Sequence, residues 1–98
     1  MSSPSRDWWG YVKAMIRRYP GRVNRNERRA VQLAVEKTEQ LEDGAERIRI
    51  IDMVFWKKTH SLEGAAQQIP CSYETAKQWH ADFIREVARN FRCDGLSG

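Results

Sequence analysis

The sequence predicts an all-α protein, a single small domain of five helices over residues 1–98. Apolar residues recur at steps of three and four along the chain, and no stretch alternates strictly between apolar and polar residues. Breaks in this pattern coincide with residue types that cap helices, which separates one helix from the next. The four candidate caps are Asn24, Asp43, Ser61 and Ser72.

The N-terminal part, residues 7–42, is predicted to form two helices after a flexible tail at residues 1–6. Apolar and aromatic side chains form one stripe of the first helix, which spans 7–18, and its basic side chains lie outside that stripe. Pro20 and the glycine after it end this helix, because proline disfavours helical backbone in the residue before it and glycine permits a turn.

The second helix is predicted to begin near Asn24 or Asn26 and to continue to Glu42. Asn24 and Glu27 have the spacing of a capping box, in which the two residues satisfy each other's backbone N–H groups. We expect five residues to form the inner face of this helix: Ala30, Val31, Ala34, Thr38 and Leu41.

Three further helices are predicted in residues 45–92, which form the helix-turn-helix unit discussed below. The third is capped by Asp43 and ends near Lys58, and the fourth spans 62–68, where the following proline forbids its continuation. The fifth and longest spans 73–92 and ends before an Asp-Gly pair.

The net charge of +4 is unevenly divided along the chain. Residues 1–30 carry eight basic and two acidic side chains, residues 31–52 carry a net charge of −3, and residues 53–98 a net +1. This asymmetry favours a nucleic-acid partner for the basic end, although a run of arginines is also typical of a solvated helix face. With no long apolar run and no secretory leader, we expect a cytoplasmic protein without a membrane partner.

Residues that carry catalysis or bind metals are sparse. Cys71 and Cys93 are not expected to form a disulfide in such a compartment. Together with His60 and His80 they do not have the spacing of a zinc site. The sequence has no glycine-rich phosphate loop and no nucleophile beside a base. We therefore expect neither a cofactor nor an enzymatic activity.

The segment from Leu62 to Trp79 has the pattern of a helix-turn-helix. That motif needs a small residue where its helices cross, an apolar residue before the turn, a cap, and apolar anchors in the second helix. An ordinary helical hairpin can imitate the pattern. The residues at these positions are Ala66, Ile69, Ser72, Ala76 and Trp79.

The stretch 48–91, and above all 62–77, resembles region 4 of bacterial sigma factors, which reads the −35 promoter element. With its additional N-terminal helices, the whole chain resembles the small phage and prophage transcriptional activators of the ArpU and RinA type. Two residues depart from the family pattern, since Pro70 replaces a glycine in the turn and Ala76 replaces a β-branched anchor. The resemblance implies a transcriptional regulator that binds double-stranded DNA, with RNA polymerase as a candidate partner.

The outer face at the start of the fifth helix supplies the candidate base-reading residues. Gln78 has the donor and acceptor that match adenine, Lys77 can donate to guanine, and Glu74 can accept from a cytosine amine. Tyr73 is placed for a thymine methyl group or a phosphate. The resemblance implies the same role for these four residues, and the alternative for each is an exposed side chain without a partner.

Five residues are candidates for contact with DNA phosphates. Lys57, Lys58 and Ser61 surround the start of the fourth helix, where ammonium groups and a helix N-terminus attract phosphate. Ser72 opens the fifth helix in the same way. Arg85 lies further along that helix and has a second interpretation, an ion pair with an acidic neighbour.

Two other functions remain open at this stage. One is a DNA-recognition component of a phage packaging or recombination protein. The other is a helical adaptor that binds a protein through its acidic stretch and the aromatic pair Trp8-Trp9. The operator, the sign of regulation and the oligomeric state are not predicted. The acidic stretch comprises Glu36, Glu39, Glu42 and Glu46.

Overall fold

The computed structural model describes residues 5–22, 24–69 and 71–96, with side chains described from residue 9 to residue 91 of these ranges. The described residues contain five α-helices and no strand, which confirms the all-α prediction. None of these helices combines the length and the apolar character needed to cross a membrane. The helices are α1 (Ser5–Arg18), α2 (Arg25–Glu39), α3 (Gly44–Ile51), α4 (Leu62–Gln68) and α5 (Tyr73–Leu96).

Some sequence-based expectations concern parts of the chain outside this description. They are residues 1–4 of the predicted tail, the path of the turn at Pro70, and the side chains of Trp8 and Cys93. The predicted tail at 1–6 is wrong for its last two residues, because α1 begins at Ser5 and includes Arg6. At the other end, α5 continues to Leu96, so the predicted stop at the Asp-Gly pair is wrong. A glycine inside a helix costs only about 1 kcal/mol relative to alanine, which a long helix tolerates.

Asn24 caps α2 as predicted, because its side-chain oxygen accepts the Glu27 N–H at 2.8 Å. The predicted capping box is wrong, however, since the Glu27 carboxylate does not return to the cap. It accepts hydrogen bonds from the Tyr11 hydroxyl at 2.7 Å and from the Arg18 guanidinium at 3.2 Å. Glu27 is 5% exposed and therefore joins α2 to α1 as a buried charge with two partners.

Helix α2 ends at Glu39, earlier than predicted, and the chain turns back tightly over its end. Gly44, the first residue of α3, is buried against this end. A Cβ atom at Gly44 would lie 2.5 Å from the carbonyl oxygens of Thr38 and Glu39, so only glycine fits there. Asp43 makes no side-chain hydrogen bond to α3, so its predicted role as a cap is wrong. Leu41 lies beyond the end of α2 and is 44% exposed, so its predicted place on the inner face is also wrong. The close approach of Gly44 to the end of α2 sets the path of the turn in both cases.

Helix α3 passes directly into a π-helical turn, Asp52–Trp56, where a regular α-helix to Lys58 was predicted. The Lys57 N–H donates to the Asp52 carbonyl at 2.7 Å, the five-residue step of a π-helix. In this geometry Phe55 is buried and the Trp56 indole N–H donates to the Ile16 carbonyl at 2.8 Å. The π turn thus ties the middle of the chain to α1.

The main apolar core lies between α1, α2, the π turn and the middle of α5. The positions predicted to face inward in α2 are buried, apart from the leucine beyond its end. An additional bond crosses the core edge, where the Asn90 amide donates to the Ala30 carbonyl at 3.1 Å. The buried residues of this core are Val12, Met15, Ile16, Ala30, Val31, Ala34, Ile51, Phe55, Phe83, Ile84, Val87 and Ala88.

Glu27→Ala is expected to lower the free energy of unfolding by about 2 kcal/mol, because hydrogen bonds to a charged group contribute about 1.5–3 kcal/mol. We expect a loss in the lower part of that range, because Tyr11 is 45% exposed and its hydroxyl can bond to water when the carboxylate is removed. The bond to Glu27, followed by burial, also raises the pKa of Tyr11 above its usual value, and this rise should disappear in the variant. Urea unfolding and spectroscopic titration of the tyrosines measure the two effects.

The matched control is Glu39→Ala, which removes an exposed glutamate from the end of the same helix. Its stability should change by less than about 0.5 kcal/mol, as is typical of surface substitutions. Equal stability of the two variants would show that the buried carboxylate does not hold α1 against α2.

Candidate nucleic-acid interface

The start of α4 and the start of α5 are both capped by serine, as the sequence predicts. Ser61 Oγ accepts the Gly64 N–H at 3.1 Å, and Ser72 Oγ accepts the Thr75 N–H at 3.1 Å. The Ser61 cap fixes the point where the loop after the π turn enters α4, and the Ser72 cap fixes the first turn of α5. Both hydroxyls are exposed, so a phosphate near either one would meet the helix N-terminus as well.

A second apolar cluster holds α4 against the start of α5. Three of its six members are alanines, which let the two helix backbones approach closely, and an isoleucine from α3 completes it. The apolar positions of the predicted helix-turn-helix are all in this cluster, whereas the motif itself stays a prediction. The members are Ile50, Ala65, Ala66, Ile69, Ala76 and Trp79.

The four candidate base-reading residues lie together, exposed, on the first turns of α5. Lys77 connects the first two, since its Nζ lies 3.4 Å from the Glu74 carboxylate and 5.0 Å from the centre of the Tyr73 ring. The Gln78 amide donates to Asp82 Oδ1 at 3.4 Å. The surface therefore presents donors and acceptors side by side, in weak exposed contacts that a competing partner can replace.

Four of the five candidate phosphate contacts fall into two groups, and the fifth, Ser72, is the cap of α5. Lys57, Lys58 and Ser61 lie together in the loop between the π turn and α4, where Lys57 Nζ is 3.3 Å from an Asp52 oxygen. Lys58 has a left-handed backbone, with φ of 56°, and an exposed side chain. Arg85 is apart from them, on α5, with its guanidinium 3.6 Å from Asp82.

The structure adds two basic residues of α1 that the sequence did not associate with this surface. The Arg17 guanidinium lies 5.9 Å from the centre of the Phe55 ring, and the His80 ring stacks parallel to the same Phe55 at 5.1 Å. Lys13 and Arg17 are both close enough to His80 to repel its protonated form. Their spacing of four in α1 showed one basic face, but not which part of the molecule that face approaches.

His80 has a strongly lowered pKa of about 4. Burial against Phe55 is the largest cause, and the positive charges of Lys13 and Arg17 add to it. The imidazole is therefore neutral at physiological pH, and the positive character of this surface comes from lysine and arginine alone.

Cys71, in the connection between α4 and α5, has a raised thiol pKa, because it is desolvated and then because of the Glu46 charge. In the part of the chain that the structure describes, no three His, Cys, Asp or Glu side chains converge as metal ligands.

The chain shows no significant match to a family model, to a curated protein or to a solved structure. The resemblance to sigma region 4 consequently stays a prediction from the quoted residues.

Ala66→Leu is expected to lower the free energy of unfolding by roughly 1 to 3 kcal/mol, because Ala66 is 4% exposed between α4 and α5 and leaves no room for three further carbons. Thermal unfolding followed by circular dichroism measures the loss. Ala45→Leu, the same change at an exposed position of α3, is the control and should melt like the parent. A parent-like melting temperature for Ala66→Leu would place the closest approach of the two helices elsewhere.

Stability is expected to fall as the pH drops below about 6.5, the pKa of an unfolded histidine, towards the folded pKa of His80, about 4. In this window the unfolded chain binds a proton that folded His80 excludes, so acid favours unfolding. After allowance for partial exposure, the loss between pH 7 and pH 5 should be about 1–2 kcal/mol. His80→Phe keeps an aromatic ring against Phe55 without a titrating group and should reduce this loss. Parallel pH profiles for parent and variant would rule His80 out as the cause.

Proposed function

We propose that this protein is a sequence-specific, double-stranded DNA-binding transcriptional regulator that reads the major groove with the first turns of α5. The main support is one arrangement: Tyr73, Glu74, Lys77 and Gln78 lie exposed on one side of a helix whose other side is buried in two apolar clusters. A helix fixed in this way presents its polar face without a change in its backbone. Such a face has the width and the hydrogen-bonding groups that a major groove accepts.

Base contact requires these side chains to exchange their partners within the chain. The Lys77–Glu74 contact is exposed, so breaking it costs about 0–1 kcal/mol. Gln78 gives up one long bond to Asp82 and gains a bidentate contact with adenine, which discriminates by about 1–3 kcal/mol. The exchange therefore favours the complex at a matching base pair and not at a mismatched one.

Backbone contacts are assigned to Lys57, Lys58 and the capped start of α4, with Lys13 and Arg17 extending the positive surface on the α1 side of α5. Phosphate contacts are independent of sequence and position the reading helix on the duplex. The excess of basic residues in the first 30 positions supports this arrangement, because it adds long-range attraction to DNA.

The resemblance of residues 62–77 to sigma region 4 supports the more specific part of the proposal. That part is a phage or prophage transcriptional regulator that works with RNA polymerase in a bacterial cytoplasm. A DNA-recognition role in packaging or recombination would use the same surface. A helical adaptor is the candidate from another class, and the exposure of Glu36, Glu39, Glu42 and Glu46 favours it.

Selection of binding sites from random duplex DNA at about 0.1 M salt tests the proposal, since phosphate contacts still contribute at that ionic strength. Gln78→Ala should weaken binding to the selected site by about 1 to 3 kcal/mol and binding to random DNA very little. The control Gln32→Ala changes an exposed glutamine of α2 and should bind like the parent. Enrichment that survives Glu74→Ala, Lys77→Ala and Gln78→Ala combined would assign base reading to another helix.

Lys57→Ala should weaken binding to all sequences alike and reduce the slope of log K against log salt by about one unit. Lys37→Ala removes the same charge from α2 and should leave the slope unchanged, which makes it the matched control. No enrichment of any sequence, together with an unchanged electrophoretic mobility of duplex DNA, would favour the adaptor.

A further inference from the structure

A groove of about 240 Å³ lies between α2, α3 and α5, on a different side of α5 from Lys13 and Arg17. Its apolar surface comes from Trp79 and Phe83 of α5, which also belong to the two cores, and from Leu41 just beyond α2. Leu41 is 44% exposed although it is a large aliphatic side chain. Trp79 and Phe83 are 9% and 2% exposed and form the floor of the groove, so Leu41 supplies most of the apolar surface that the described part of the chain leaves open to solvent.

Charges around this patch are unequal. Two carboxylates and four cations line the groove, so its net charge is +2. Each carboxylate is shared by two cations at 3.5–3.6 Å, which is long for a hydrogen bond and leaves guanidinium N–H groups for another acceptor. The pairs are Lys37 and Arg89 with Glu86, and Arg47 and Arg85 with Asp82.

Arg47 is the innermost of the four cations. Its guanidinium lies 5.3 Å from the centre of the Trp79 ring, and its side chain is only 21% exposed. Its buried Nε has no hydrogen-bond partner among the described residues. Buried donors are almost always paired, so this nitrogen indicates a site that a bound acceptor would complete with a small shift of the side chain.

The exposed acidic residues of the same region, Glu36, Glu39 and Glu42, do not line the groove. Its positive charge is therefore not cancelled from within the site. A phosphate backbone would satisfy the cations but has no apolar group to cover Leu41 and Trp79. A peptide that presents a carboxylate beside an aliphatic or aromatic side chain satisfies both.

We infer that this groove is a docking site for an acidic peptide segment of a partner protein. A carboxylate of the segment lies among Arg47, Arg85 and Arg89, and an apolar side chain of the segment covers Leu41 and the edge of Trp79. The proposed DNA contact uses the exposed face at the start of α5 and the loop before α4. The groove shares with that surface only Asp82, which accepts from Gln78, and Arg85, which was a candidate phosphate contact.

The test is selection of random 12-residue peptides displayed on phage against the full chain, followed by synthesis and fluorescence polarisation of the enriched peptides. Enriched peptides should combine Asp or Glu with Leu, Ile or Phe. The double variant Arg85→Gln, Arg89→Gln changes two exposed side chains and should raise Kd roughly tenfold or more. The double variant Arg22→Gln, Arg25→Gln removes equal charge from two exposed positions, one before α2 and one at its first residue, and should leave Kd unchanged.

Nuclear magnetic resonance spectra locate the peptide, because the Trp79 indole and Leu41 methyl signals should shift on binding. The inference is overturned if no acidic peptide is enriched, if both double variants weaken binding equally, or if these signals do not move. It is also overturned if a 12-base-pair duplex moves the same signals and loses affinity in the Arg85, Arg89 variant, since the groove is then a DNA surface. Loss of DNA selection alone leaves the peptide result unaffected, so the two proposals fail separately.

Discussion

The structure depends on one constraint: α5 is a structural member of both apolar clusters. Its first turns bury Ala76 and Trp79 against α4, and its middle buries Phe83, Ile84 and Val87 against α1, α2 and the π turn. Burial of a large apolar side chain contributes about 1.5–3 kcal/mol, so rotation of α5 would forfeit several such terms at once. The exposed face of α5 is consequently held at a fixed angle by residues on its buried sides.

One long helix thereby presents chemically different sides to its surroundings. Polar residues of its first turns face solvent, its α1 side carries His80 beneath basic residues, and its α2 side contributes Asp82 and Glu86 to the groove. The period of 3.6 residues per turn allows this division, because positions one or two apart point in different directions. The proposed DNA and peptide contacts can therefore coexist on α5.

The basic N-terminal third does not act as a uniform charged surface. Glu27 is buried among Tyr11 and Arg18 and neutralises charge where α1 meets α2, whereas Lys13 and Arg17 direct theirs towards His80. Exposed charges attract a polyanion over about 10 Å at 0.1 M salt, so the cations next to the reading face contribute most. The neutral state of His80 keeps this field constant across the physiological pH range.

Short-range patterns in the sequence were sufficient for the helix order, the caps at Asn24, Ser61 and Ser72, and most of the buried positions. Each depends on residues within about four positions, where backbone geometry dictates the neighbours. The exposure of the candidate base-reading residues follows from the same periodicity. Only the tertiary structure decided the role of Glu27, whose partners lie nine and 16 positions away, and the bond from Trp56 to Ile16 across 40 positions.

Tertiary packing also decides the position of Lys13 and Arg17 beside α5, the π turn, and the groove in which the Arg47 Nε has no partner among the described residues. Helical periodicity determines which side of a helix is apolar or charged, but a charged side has no preferred neighbour in the sequence itself. Burial of the apolar sides contributes most of the free energy of folding and therefore sets the orientation of each helix. The neighbours of the charged sides follow from that orientation, because exposed ion pairs contribute little.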